Sequence, residues 1–289
     1  MINWVVLSLT IIIAEAFVAE FNRHYKFDGF ALNFWRTLVA ALVVSMFSMH
    51  YQWPSDPNFY WAGLVVGIVA ATCMIIRLNL SAQHNGRVSS LFIPLKAFLL
   101  FGTWWIFDIS SYVELAAEPW KLVGIIATFI VASASMISMR KIESGPYILL
   151  MVSIVAVLYA IEEGVVKIML EDSVGFEGAF MLTTLGYWIG VILSGIVMIC
   201  AKSHRKYIWD KTIVKPAIVM GITSACIAVS FFKALALTPN PAYISVIMMQ
   251  VPVLLMIYHK AVGLKDNASP IAGLFLVLSA ITLILITSG

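Results

Sequence analysis

Apolar residues run along this chain in long blocks, and the polar residues gather between the blocks instead of alternating with them. The blocks fall at Asn3 to Asn22, Phe30 to Met49, Asn58 to Leu80, Val88 to Phe107, Trp120 to Met139, Pro146 to Met169, Gly178 to Cys200, Lys215 to Leu237, Ala242 to His259 and Pro270 to Ser288. Each approaches or exceeds the roughly 20 residues with which a helix crosses the hydrocarbon of a bilayer. The pattern therefore predicts ten transmembrane helices. Between them stand short stretches such as WPSDPN, SAQHNGR, KIESGP and LTPNPA, whose prolines, glycines and asparagines end helices where freed backbone groups reach water or headgroups. The longest polar connection, Lys202 to Lys215, is too short for an appended domain.

Composition sharpens this picture. Of 289 residues 62% are hydrophobic and 11% charged, and a mean hydropathy of +0.97 excludes an ordinary water-soluble domain. The expected class is an all-α integral membrane protein with the lipid bilayer as its solvent and no nucleic acid among its partners. Cys73, Cys200 and Cys226 show no C-x-x-C spacing, and the five histidines stand singly, so no metal and no cofactor are expected. The opening MINWVVLSLTIII lacks a basic leader and a small-residue cleavage site, so the first helix is expected to remain. Arg23, Lys26, Arg87, Arg140, Lys141, Lys202, Arg205, Lys206, Lys211, Lys215, Lys260 and Lys265 all follow odd-numbered spans, against Lys121 alone on the other side. The positive-inside rule then puts those loops in the cytosol and both termini outside.

The two halves resemble each other. LSAQHNGRVSSLFIPLKAFLL from Leu80 aligns with LTPNPAYISVIMMQVPVLLMI from Leu237, each with a leucine ending one helix and a proline, Pro94 or Pro252, inside the next. Trp120 to Met139 similarly matches Ser269 to Ile286, with Gly124 opposite Gly273. Five spans is an odd number, so tandem copies (residues 1–141 and 146–289) are expected to lie inverted in the membrane, an arrangement that carriers use with the site between the halves.

These segments, with FWRTLVAAL around Arg36 and with Glu114 ahead of Gly124, resemble the ten-helix, EamA-type members of the drug/metabolite transporter superfamily. The resemblance covers nearly the whole chain in short apolar pieces. It departs at Gly263 and Leu264, where the pattern expects a glutamate, and in lacking a second late glycine in the fifth and tenth spans. The family is usually drawn with both termini in the cytosol, opposite to the loop charges of this chain. The resemblance implies a transporter of the cell membrane, the inner or plasma membrane of a bacterium, with a small molecule as partner and a homodimer as one assembly.

Ionisable residues inside the spans are the candidate site, because charge at membrane depth is costly and is kept for function. Glu15, with Ser8 and Asn22 seven residues to either side, forms one polar stripe on the first helix. It resembles the proton-exchanging glutamate of the superfamily's small multidrug members; a protonated carboxyl hydrogen-bonded across helices is the alternative. In the sixth span Tyr159, Glu163 and Lys167 follow at four-residue steps, which predicts mutual neutralisation of Glu163 and Lys167. Glu162 points about 100° away from that face and lacks a partner on its own helix. It is the second candidate for proton coupling. Arg77, Lys167 and Lys233 stand near helix ends, where long side chains snorkel to headgroups. Arg77 and Lys233 also occupy nearly matching places in the two halves, from which they would attract anions if they line the path. Arg36 lies deeper, and Lys96 deeper still, two residues after a proline expected to interrupt its helix. Trp35 adjoins Arg36, while the other tryptophans suit interfacial belts. Gly63, Gly67, Gly186 and Gly190 have the spacing of close helix crossings.

The substrate-binding set is thus Glu15, Trp35, Arg36, Arg77, Lys96, Glu162 and Lys233, with no catalytic residue. The function expected is secondary transport, by alternating access, of a small polar metabolite, anionic or zwitterionic. The alternative is a multispanning enzyme acting on a lipid or a peptide bond. Every aspartate lies at a loop or span boundary, which argues against paired intramembrane aspartates.

Overall fold

The computed structural model describes residues 4–83, 90–138, 146–171, 175–201, 204, 207, 210–263 and 269–288. The loop residues Arg87, Arg140, Lys141, Lys202, Arg205, Lys206 and Lys265, together with Leu264 and the side chain of Glu114, lie outside that description.

Among the described residues the chain is all helix, in the order α1 (Trp4–Tyr25), α2 (Gly29–Ser48), α3 (Pro57–Gln83), α4 (Phe92–Phe107), α5 (Ile109–Ala117), α6 (Pro119–Ser138), α7 (Pro146–Glu171), α8 (Gly175–Cys200), α9 (Lys211–Leu237), α10 (Pro241–Met248), α11 (Val251–Ala261) and α12 (Pro270–Ser288). Nine stretches of the described residues are long and apolar enough to cross a membrane, with α10 and α11 counted as one, and Phe92–Trp104 of α4 is a shorter apolar helix. This is a multi-pass membrane protein. Backbone groups in hydrocarbon find no water to bond, so helices that satisfy their own are the natural solution for such a sequence.

Polar side chains set the helix starts. Asp28 caps α2 by accepting from the amides of Phe30 and Ala31, Asp210 caps α9 through Thr212, and Asn240 caps α10 by accepting from Ala242 N at 2.9 Å. Two expectations are corrected, and one element is added. Pro94 falls in the first turn of α4, where a missing N–H costs nothing, so it interrupts no ladder. The ninth span is not continuous: α10 ends at Met248, and Pro252 opens α11 from its first turn. The stretch between the fourth and fifth spans, to which the hydrophobic pattern gave no element, forms the short helix α5.

The long helices of the first half pack on those of the second. α2 lies against α8 and α9, α3 against α7 and α8, α1 against α9 and the α10–α11 pair, α4 against α7 and α10, and α6 against α12. Glycine makes the α3–α8 crossing close. A Cβ on Gly67 would stand 2.5 Å from Ile189 Cβ and 2.9 Å from the carbonyl oxygen of Gly186, and one on Gly63 would stand 2.8 Å from Leu185. Gly221 does the same for α9 against α2, where a Cβ would meet the carbonyl oxygen of Arg36 at 2.8 Å.

Candidate functional site

Within this bundle a cavity of about 110 Å³ is lined from α1, α2, α3 and α4 on one side and α7, α8, α9 and α10 on the other. Its walls are mostly apolar, with Val18, Val66, Ala70, Met74, Ile227, Phe232 and Met248 among them. Into it point three carboxyls and three basic side chains, Glu15, Arg36, Arg77, Lys96, Glu162 and Glu163.

Four of the six are paired. Arg77 Nη2 donates to Glu15 Oε2 at 2.5 Å, joining α3 to α1. The Lys96 ammonium donates to Glu163 Oε1, joining α4 to α7. Aromatic faces surround the cations: Arg77 Cζ lies 4.9 Å from the Phe92 ring centre, and Lys96 Nζ lies 5.7 Å from Phe92 and 5.5 Å from Phe231. Arg77 Nη1 also approaches the Tyr159 hydroxyl at 3.4 Å.

Arg36 and Glu162 have no such partner of opposite charge among the described residues. Arg36 Nη2 donates to Asn33 Oδ1 at 2.8 Å, and Asn33 in turn is held by donating to Ser194 Oγ at 2.9 Å. The Arg36 guanidinium stands 5.9 Å from the Tyr187 ring, whose hydroxyl donates to the Ser224 carbonyl at 2.6 Å. Its Nε is buried without a hydrogen-bond partner, and so is Oε2 of Glu162.

Five of the residues singled out from the sequence therefore meet in one cavity: Glu15, Arg36, Arg77, Lys96 and Glu162. Ser8 and Asn22 are buried with Glu15, so the whole stripe on α1 faces the bundle. Arg77 does not snorkel; it turns inward to Glu15. Lys233 is half-buried and outside the cavity lining, so the two residues expected in matching places play different parts. Trp35 also lies outside the lining and packs edge-on against Phe34. Glu163 reaches across to Lys96 and not along its own helix to Lys167, whose ammonium lies 5.8 Å from the Trp104 ring.

Glu163, Tyr159, Tyr187, Phe92 and Phe231 also line the cavity and were not among the residues expected there. The four-residue step from Tyr159 to Glu163 was a visible signal that both share a face. Tyr187 and the phenylalanines carried none, being aromatic residues in apolar helices.

At one end of the bundle α1 is tied to α11. Arg23 Nη1 lies 2.7 Å from Glu20 Oε1 and 2.8 Å from His259 Nε2, and His259 lies 3.2 Å from Glu20. Beside it, His204 Nδ1 lies 3.0 Å from Asp28 Oδ2.

No family model matches the chain, and no curated protein does. A solved crystal structure, whose description names no function, is similar over 98% of this chain and 98% of its own, at 13% identity and a TM-score of 0.67. At that identity the likeness speaks to the fold alone: the helical arrangement is one that a crystallised protein also adopts.

Proposed function

We propose that the protein is a secondary transporter of the drug/metabolite type, moving a small polar metabolite across the cell membrane by alternating access of two inverted halves. The observation that carries this reading is the cavity: buried, charged, and walled by α1–α4 on one side and α7–α10 on the other. Ions in such surroundings cost several kcal/mol each, of order, unless a partner or ligand offsets the loss of water.

The packing supports the inversion. Let the spans α1, α2, α3, α4 and α6 exchange with α7, α8, α9, α10–α11 and α12. The contact of α1 with α9 then becomes that of α7 with α3, α2 with α9 becomes α8 with α3, and α4 with α7 becomes α10–α11 with α1. The pairs α2–α8, α4–α10 and α6–α12 map onto themselves. A two-fold axis relating the halves has this signature; with α4 counted as a span each half has five, and an odd number puts that axis in the membrane plane. The α1–α11 tie is then a closure between halves, which a carrier must break and remake.

Glu162, which makes no ion pair among the described residues, is the proposed carrier of coupling protons; Glu15 is engaged by Arg77. The test is flux of labelled amino acids and organic acids by purified protein in liposomes. Saturable flux stimulated by a pH gradient, with stimulation lost in Glu162→Gln, is the expected result. Absence of flux for every solute would overturn the transporter reading, and flux indifferent to both the gradient and the substitution would overturn the coupling.

A further inference from the structure

The balance of charge in the cavity says more about what it holds. Three cations and three carboxyls line it. Glu15 with Arg77 and Glu163 with Lys96 account for four. What is left is one guanidinium, Arg36 on α2, and one carboxyl, Glu162 on α7, each buried and each outside any ion pair among the described residues; Arg36 Nε and Glu162 Oε2 lack a hydrogen-bond partner, as do Arg77 Nε and Glu163 Oε2 of the paired four. Arg36 is also prepared for a ligand, since Asn33 and Ser194 hold it from behind and the Tyr187 ring lies beside it.

Resting on the transporter reading, we propose that the site takes a zwitterion with an apolar body, its acid group at Arg36 and its ammonium at Glu162. With all six groups ionised the cavity is neutral, and a zwitterion keeps it neutral while supplying a partner to each unmatched ion. A neutral solute leaves both ions without a counter-charge. An anion satisfies Arg36 but adds negative charge to a cavity still holding the unmatched Glu162, and a cation does the reverse beside Arg36; burying an unmatched charge is the costly outcome in both cases. The body of the ligand meets Val66, Met74, Ile227 and Phe232, which favours an apolar side chain over a polar one.

The experiment is a thermal-shift and calorimetric series on the purified full-length protein. The probes are L-leucine, L-methionine and L-phenylalanine, their N-acetyl derivatives, which keep only the acid, and the corresponding amines, which keep only the ammonium. The zwitterions are expected to stabilise the protein, since a ligand of the folded state alone raises its melting point. Each single-charge analogue should bind roughly tenfold to a hundredfold more weakly, as losing one hydrogen bond to a charged group implies. Glu162→Gln should erase the preference over the N-acetyl form, and Arg36→Gln the preference over the amine. Should either variant fail to fold, the wild-type series alone decides. A single-charge analogue binding as tightly as its zwitterion, or no zwitterion binding at all, overturns the proposal. In that event, liposome flux of another solute would leave the transporter reading standing, whereas no flux would remove both.

Discussion

Replacing Lys96 by methionine removes an ammonium and leaves the Glu163 carboxyl where it was. The two side chains are 2% and 3% exposed, and the ion pair joins α4 to α7 across 67 residues of sequence. Methionine fills a volume close to that of lysine, so packing changes little and the loss is electrostatic. Breaking a buried pair by removing one partner costs about 3–5 kcal/mol, because the remaining charge stays buried without compensation. At about 2–4 °C per kcal/mol for chains of 150–250 residues, that is a fall of roughly 6–20 °C in melting temperature. Glu163→Met should do the same from the other side. The double substitution leaves no ion behind, and apolar replacement of a whole buried pair is often neutral or stabilising, so it should melt above either single variant. Cys73, fully buried on α3, is a built-in reporter: with Cys200 and Cys226 replaced by alanine, a thiol-reactive fluorogenic dye signals unfolding in detergent. A single variant melting within a degree of the parent, or a double variant below both singles, would refute the claim that this pair is energetically coupled.

Gly67→Ala should destabilise the α3–α8 crossing by about 1–3 kcal/mol, since its Cβ meets Ile189 and the backbone of Gly186; Gly164→Ala, with open space around it, should instead be neutral or gain up to about 1 kcal/mol in the same melting assay. Substituting His259 by phenylalanine and Glu20 by glutamine removes the tie between α1 and α11, and a cysteine placed at Ala70 in the cavity wall should then react faster with an impermeant maleimide from that side of the membrane; unchanged labelling would show that the tie is no closure. The Asp210 carboxyl is held below its ordinary pKa by the hydroxyl and amide of Thr212. A depressed folded-state pKa contributes stability above the unfolded value and loses it as pH falls through the folded one, so the hydrogen-exchange protection of the Thr212 amide should fall with acid, and should not do so in Asp210→Asn.

Much of this protein is legible in its sequence because membrane insertion is a property of each helix by itself. Whether Trp4–Tyr25 or Gly29–Ser48 spans hydrocarbon depends on its own residues, and so do the caps that Asp28 and Asn240 place. The stripe of Ser8, Glu15 and Asn22 needed only helical periodicity to predict an inward face. That Arg36, Lys96 and Glu162 belong inside followed from the cost of charge in lipid.

Which charges meet was decided by tertiary structure. Arg77 stands near a helix end, where snorkelling satisfies its sequence context equally well, but the packing of α3 on α1 brings Glu15 within 2.5 Å. The four-residue step from Glu163 to Lys167 offers a local pair, yet α4 supplies Lys96 from the facing helix. Pro94 marks the start of its helix, and Pro252 opens the second segment of the ninth span, whose helix breaks at Met249 and Gln250 just before it. In every case the sequence determines how an element meets its solvent, a one-dimensional sum over its own residues. The partner of a buried ion depends on the rotation and crossing of two helices distant in the chain, and that is set only when all the helices pack together.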